Sequence, residues 1–304
     1  MNYRLYTFLT TTYRFDRIRI MRYTKKQFEA NYPDDDACLE SVFQNRYGYL
    51  KDCPKCGAID TKFYRVKNRQ CYSCMHCGHQ LFPLANTIFR KTTTPLKDWF
   101  YAIYLFSVAK NGVSAKELER HLGVTYKTAW RMCKHIRILM QQDDTKLTER
   151  VEVDETYYGG RKQQDKARDN KTPIIGAVEK GGRLKAKTVI RANEKTVMPF
   201  VVASVDEDAI LYTDKSFIYY NARKKYGYKH LSVKHSYHNY VQNGIHTNNI
   251  ENFWGQLKRS IDGTYHTVSY KYLQSYVDEF VFRYNHRTTS VFPYLLAKVG
   301  TPVL

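Results

Sequence analysis

VEVDETYYGG, residues 151–160, places Asp154 just after an apolar strand start, with Glu152 and Glu155 beside it. Valine and tyrosine dominate the segment, and it reads as a strand. AILYTDKSFIYY, residues 209–220, places Asp214 at the far end of a second strand candidate. Acids on largely buried strands are costly unless they are paired or hold a cation. Taken alone, either aspartate reads equally well as a strand-end residue accepting backbone hydrogen bonds. Asp206, Glu207 and Asp208, by contrast, read as a solvated turn.

Outward from these acids, TPIIGAVEKGG (172–182) and LKAKTVIRA (184–192) are further strand candidates, and KTVMPFVVASV (195–205) is a helix between strands. VSYKYLQSYVDEFVFRYNHR (268–287) reads as an aromatic amphipathic helix. HTNNIENFWGQLKR (246–259) is helical too. At about 100° per residue, Ile250, Phe253, Trp254, Leu257 and Ile261 gather into one apolar arc. Glu251 and Lys258 point together just outside that arc, with Gly255 between them and Asn248 a turn before. Two strand aspartates and a helix glutamate are a suitable set for two Mg²⁺ ions, hard cations that prefer carboxylate oxygen.

The N-terminal half is organised differently. CPKCG and CMHCG put Cys53, Cys56, Cys74 and Cys77 at the spacing of two tight turns, each followed by a glycine. Two such turns complete a tetrahedral thiolate shell for one structural Zn²⁺. Gly57 and Gly78 are expected at positive φ, which turns backbone amides toward the sulfurs. Cys71 pairs with Cys74 at the same spacing, but the glycine position favours Cys74 with Cys77. His76 and His79 read as exposed, and Cys38 and Cys133 as buried thiols.

VSAKELERHLGVTYKTAWRMCKHIRILM (113–140) carries a capping box at Ser114 and Glu117, a closing Gly123 and a second cap at Thr125. Ala129, Met132, Cys133, Ile136 and Met140 would face a core, leaving Lys127, Arg131 and Lys134 outside. The arrangement fits a helix-turn-helix DNA-binding unit; an all-helical linker with a solvated basic face fits it as well. Residues 24–48 are expected to be helical, with a turn at 33–36.

Charge bears on the partner. The 304 residues carry 49 Lys and Arg against 29 Asp and Glu, a net +20, which favours a polyanion, above all nucleic acid. Compositional drift in a tyrosine-rich chain is the bland alternative. Mean hydropathy is −0.59 and no run approaches the roughly 18–20 apolar residues of a membrane span, so no membrane partner is expected.

These motifs, in this order, resemble DDE-type insertion-sequence transposases with an N-terminal zinc ribbon, the ISXO-like group, which is similar to the eukaryotic Merlin elements. The resemblance runs from about Phe28 to Tyr284 through FEANYPDDDACLESVF, CPKCG, YSCMHCGHQLFPLANTIF, VSAKELERHLGVTYKTAWRM, VEVDETYYGG, YTDKSFIYY and HTNNIENFWGQLKR. It implies a multidomain α+β and α/β chain: an N-terminal helical segment (1–48), a zinc ribbon (49–90), a helix-turn-helix region (91–145) and a ribonuclease H-like core of mixed sheet flanked by helices (146–304). Residues 1–20 fall outside the match and read as an extension or a misplaced start.

The resemblance further implies that Asp154, Asp214 and Glu251 are the catalytic acids, holding two Mg²⁺ (or Mn²⁺) ions, with Lys258 and Arg259 on DNA phosphates. Some members carry asparagine in the third position, so Asn248 is the second choice after Glu251. The expected activity is metal-dependent phosphodiester hydrolysis and strand transfer. The partners are the element's terminal inverted repeats, target DNA and a second copy or larger assembly of the chain. A cytoplasmic, nucleoid-associated place in a prokaryotic host follows. A non-catalytic DNA-binding regulator and a nuclease that never joins strands are the rival readings.

Overall fold

The computed structural model describes residues 23–159, 171–214, 216–233 and 247–301. The first twenty residues, read above as an extension, lie outside them. Thr24 and Gln27 form a capping box that opens α1 (Lys25–Asn31), and Asp34 accepts from the Ala37 amide to open α2 (Asp35–Tyr47). A three-stranded antiparallel sheet follows in the order β1 (Phe63–Arg65), β2 (Tyr72–Cys74), β3 (Gln80–Leu81). Then come α3 (Leu96–Val108), α4 (Ala115–Leu122) and α5 (Tyr126–Leu139). Ser114 and Thr125 cap the last two through the Glu117 and Thr128 amides, and Gly123 ends α4.

Ala129, Met132, Cys133, Ile136 and Met140 are all buried, as their spacing predicts. They join a core that includes Leu39, Val42, Phe100, Ile103 and Leu118, closed by Phe292 and Leu295 of the C-terminal helix α9 (Val291–Val299). The last described helix thus returns to the N-terminal helices.

The second sheet is mixed, in the order β6-β5-β4-β7-β8: β4 (Arg150–Tyr158), β5 (Thr172–Glu179), β6 (Leu184–Thr188), β7 (Ile210–Asp214) and β8 (Lys229–Val233). β4 runs antiparallel to β5 and parallel to β7, and β7 runs parallel to β8. Strand alternation sorts its two faces. Val151, Val153, Ile175, Ala177 and Leu211 pack under α6 (Glu194–Ser204). Ile174, Val178, Leu184 and Ala186 pack under α7 (Asn248–Ser260) and α8 (Tyr270–Asn285). A π-helical turn, Ile261–Tyr265, follows α7 directly.

The two halves are joined by a buried ion network. Glu279 of α8, 0% exposed, accepts from Arg137 Nε of α5 at 2.8 Å and from Arg283 at 2.7 Å. The Tyr265 hydroxyl of the π-turn reaches the same carboxylate at 3.0 Å, and the Val113 amide donates to that hydroxyl at 3.1 Å. A carboxylate held by two guanidiniums escapes the cost of lone burial, and Glu279 is drawn below the usual carboxylate range by Arg137 and then Arg283, against desolvation. Among the described residues, no helix is long and apolar enough to cross a membrane.

Candidate active site

The register of β4 and β7 pairs Arg150 with Ile210, Val151 with Leu211 and Glu152 with Tyr212. Two residues further on, Asp154 comes level with Asp214 on the adjacent parallel strand, on the same face. That face carries α7. Glu152, one step back along it, is 3% exposed and accepts from the Asn249 amide at 2.9 Å, the Asn249 side chain at 2.7 Å and the Ile250 amide at 3.2 Å. Thr247, the residue at the helix start, supplies no side-chain cap. The strand glutamate therefore caps α7 from outside, where a carboxylate also complements the helix dipole.

One turn later Trp254 Nε1 donates to Asp154 Oδ2 at 3.0 Å. The indole can lie this close because Gly176, paired with Asp154 across β4 and β5, has no side chain. A Cβ there would sit 2.6 Å from Trp254 Cη2 and 2.8 Å from Ile250 Cδ1. In the sequence Trp254 shows only as one member of the apolar arc of α7. A glycine inside an otherwise apolar strand was the signal for close approach that would have found its second role.

Asp154 is pushed up to about 7, first by burial, then by the charges of Glu155 and Asp214, against the amide of Glu155 and the Trp254 indole N–H. Glu155 is raised too, by burial and then Asp214, although the Tyr219 hydroxyl stabilises its carboxylate from 2.8 Å. Asp214 Oδ1 accepts from the Ser216 amide at 3.0 Å, which turns the chain at the end of β7. Glu251 lies exposed on α7 one turn before Trp254, and Thr247 Oγ1 donates to its carboxylate at 2.8 Å. Asn248 is half-buried at the helix start, whereas Asn249 is committed to Glu152. Lys258 is half-buried and Arg259 exposed, its guanidinium folded beside Gly255.

Among the described residues, the cysteine quartet is the group of three or more candidate ligands whose atoms all lie within 4.8 Å of one another. Asp154, Asp214 and Glu251 do not draw together that tightly. Burial and the charges of Glu155 and Asp214 raise Asp154, and a hard cation beside it would favour the ionised carboxylate.

The quartet is Cys53, Cys56, Cys74 and Cys77; Cys71 stays out of it, buried in the core. Cys53 Sγ and Cys77 Sγ are 3.7 Å apart, close to the edge of a tetrahedron with metal–sulfur bonds of about 2.3 Å. Gly57 and Gly78 adopt φ of 69° and 70°, and their amides donate back to the carbonyl oxygens of Cys53 and Cys74 rather than to the sulfurs, giving the two turns the same form. Cys74 is pulled down to about 6 by the Cys77 amide, against desolvation, with help from the Thr61 hydroxyl and the His76 amide. A readily formed thiolate suits Zn²⁺.

On α5, Lys127, Arg131 and Lys134 are exposed. Lys134 leans off the outer face, its Nζ 5.9 Å from the Trp130 ring and 5.9 Å from the Tyr272 ring of α8.

Residues 146–285 match the ISXO2-like transposase domain, and residues 33–80 match the transposase zinc-ribbon domain. An uncharacterized protein in transposable element ISH50 of Halobacterium salinarum is 24% identical over 228 residues, which cover 68% of this chain and 76% of that protein. Among solved structures, a chain of the simian T-cell lymphotropic virus intasome in complex with PP2A regulatory subunit B56 gamma aligns over 60% of this chain and 70% of its own, at 11% identity and a TM-score of 0.31, too loosely to bear on the fold.

Proposed function

We propose, from the premise that this chain belongs to the ISXO2-like transposases with a zinc ribbon, that it cuts and joins DNA at the ends of its own element. It would bind the terminal inverted repeats, hydrolyse a phosphodiester to free a 3′-OH, and direct that hydroxyl at target DNA. The observation that carries this reading is the pair Asp154 and Asp214, level on parallel strands beneath the helix that bears Glu251.

Asp154, Asp214 and Glu251 would hold two Mg²⁺ (or Mn²⁺) ions, with Asn248 as second choice for the third position. Bound there, the ions would activate the attacking oxygen and offset charge on the leaving oxygen of an in-line transfer. The chain's own part is placement. Asp154 gives up its proton near neutral pH to become a ligand, and Trp254 holds one of its oxygens in place. Glu152 fixes the start of α7 and with it the bearing of Glu251. Lys258 and Arg259, later on the same helix, would meet phosphates.

The β6-β5-β4-β7-β8 sheet between α6 and α7–α8 supports a ribonuclease H-like core, and the capped α4–α5 pair supports a helix-turn-helix that places Lys127, Arg131 and Lys134 on DNA. One structural Zn²⁺ on the cysteine quartet would hold the ribbon. Joining two ends calls for a dimer or larger assembly.

The test incubates purified protein with Mg²⁺, a supercoiled target and a labelled element end. Joined products are expected. Cleavage without joining would point to a nuclease, and binding without cleavage to a regulator. Full activity in Asp154→Ala, Asp214→Ala and Glu251→Ala alike would refute the site.

A further inference from the structure

A cleft of about 790 Å³ opens between the α4–α5 pair on one side and the π-turn and α8 on the other. It is too small for a duplex and falls in the size range of sites for one or a few small groups, about 300–1,000 Å³. Tyr126 and Trp130, one turn apart on α5, line one wall; Tyr272 of α8 lines the other. Trp130 and Tyr272 meet edge to face at 5.3 Å, and Tyr126 is exposed at the mouth.

Cations stand over these rings. Lys116 Nζ lies 5.1 Å from the Tyr126 ring and Lys271 Nζ 5.5 Å from the Tyr272 ring, while Lys134 faces both Trp130 and Tyr272. Arg120 also lines the space, and Glu117 is the acid among the lining residues. The floor is the π-turn and the bend after it, where His266 holds φ 60° and ψ −53°, outside the usual regions for a side-chain-bearing residue. Short π-helical turns and strained residues of this kind gather at functional sites. The same turn continues α7, so the cleft and the candidate acids are joined by one element.

We propose that this cleft takes an unpaired nucleotide of the DNA strand on its way from the duplex read by α5 to the acids. The base stacks on an open face of the Trp130–Tyr272 pair, whose edge-to-face contact holds that face in place, and its flanking phosphates meet Lys116, Arg120 and Lys134. Stacking a base on an aromatic ring strengthens binding by roughly 5- to 150-fold, against about 2- to 5-fold for an exposed cation over the same ring. A base therefore displaces Lys134 or Lys271 from the ring face and frees it for phosphate, while Lys116, paired with Glu119 at 2.8 Å, stands at the Tyr126 side of the mouth. The proposal rests on the transposase reading.

Fluorescence anisotropy on the full chain tests it with three labelled probes: a short single strand of mixed sequence, the same strand with abasic positions, and a duplex of the element end. The wild-type chain is expected to hold the base-bearing strand at least about 5-fold tighter than the abasic one. Trp130→Ala and Tyr272→Ala are expected to erase that preference while duplex affinity stays within about 2-fold. Because Trp130 and Tyr272 also pack on each other, Tyr126→Ala and Lys116→Gln, at exposed positions, serve as variants without a folding cost; both are expected to weaken single-strand binding selectively. Equal binding of base-bearing and abasic strands by the wild-type chain, or a preference that survives in all four variants, overturns the proposal. Duplex binding without base preference refutes the cleft alone; no binding to any of the three probes refutes the transposase reading with it.

Discussion

Asp154→Asn should stabilise the protein while abolishing its activity. Asparagine is nearly isosteric, and its carbonyl still accepts from Trp254, so packing and the indole hydrogen bond are kept. What disappears is the cost of a carboxylate beside two other acids in a half-buried site. Raising Asp154 from an ordinary 3.8 to about 7, mainly through desolvation and then Glu155 and Asp214, costs about 4 kcal/mol once the group is ionised in both states. The direction follows from proton counts. Between the two pKa values the folded chain holds a proton that the unfolded chain has released, so wild-type stability rises as pH falls from 7 toward 4. The penalty is complete above pH 7, drops to about 2 kcal/mol near pH 5.5 and vanishes below the unfolded value. In Mg²⁺-free buffer that leaves the zinc in place, the variant should melt at least about 5 °C above wild type at pH 8, with roughly half that gain at pH 5.5. Saturating Mg²⁺ should raise the wild-type melting point, by the equivalent of about 2.7 kcal/mol at a hundredfold excess over Kd, and leave the variant nearly unmoved. A variant that melts at or below wild type at pH 8 would refute the reasoning, because Asp154 would then not be an acid held against its own charge.

Glu152→Ala strips the cap from α7 and leaves the Asn249 and Ile250 amides without that acceptor; a loss of about 2–4 kcal/mol in denaturant unfolding, with faster hydrogen exchange at the start of α7, is expected, and an unchanged midpoint would show that the cap is idle. Gly176→Ala drives a methyl into the Trp254 indole and should cost about 1–3 kcal/mol; Trp254→Phe, which removes the atoms in the way, should recover part of that in the double variant, and strictly additive losses would count against the contact. Stripping metal with a thiol-directed zinc chelator, or Cys56→Ser, should release about one zinc per chain by atomic absorption and lower the stability of the ribbon, while a chain with no bound zinc as purified from zinc-containing medium would contradict the quartet's role.

What was legible in the sequence was local. Two cysteine pairs with trailing glycines fixed both turns of the quartet, because ligand spacing and positive φ are properties of five-residue stretches. The caps at Ser114 and Thr125 and the burial of Ala129, Met132 and Ile136 followed from helical periodicity. The acids of β4 were visible as anomalies in an apolar segment, but their division of labour was not. Glu152 is a cap, Asp154 faces Trp254, and Glu155 turns to Tyr219 on the other face, and each role depends on a partner at least 64 residues away. β8 and α9 escaped notice for related reasons. KHLSV is short and half polar at the sheet edge, and VFPYLLAKV is a short apolar run with a proline, Pro293, which sits in the first turn, where no amide partner is lost.

α7 is the element on which these contacts converge, and it is tied down at both ends. At its start Glu152 ties it to β4, two residues from Asp154 on the same strand. In its middle Trp254 spans from the apolar core over Gly176 to the Asp154 carboxylate. Beyond its end the π-turn carries Tyr265 into the buried carboxylate of Glu279, which Arg137 of α5 and Arg283 of α8 also hold. The acids Asp154, Glu155 and Asp214 sit on β4 and β7, so fixing α7 sets the place of the Trp254 indole against Asp154. Pinned at both ends, α7 must keep Glu251 and Lys258 on their bearing, and the same network that restrains it reaches into the helix proposed to hold DNA. The Arg137–Glu279 pair thus ties α5 to the frame that holds α7, and a displacement of α5 away from α8 would have to break it.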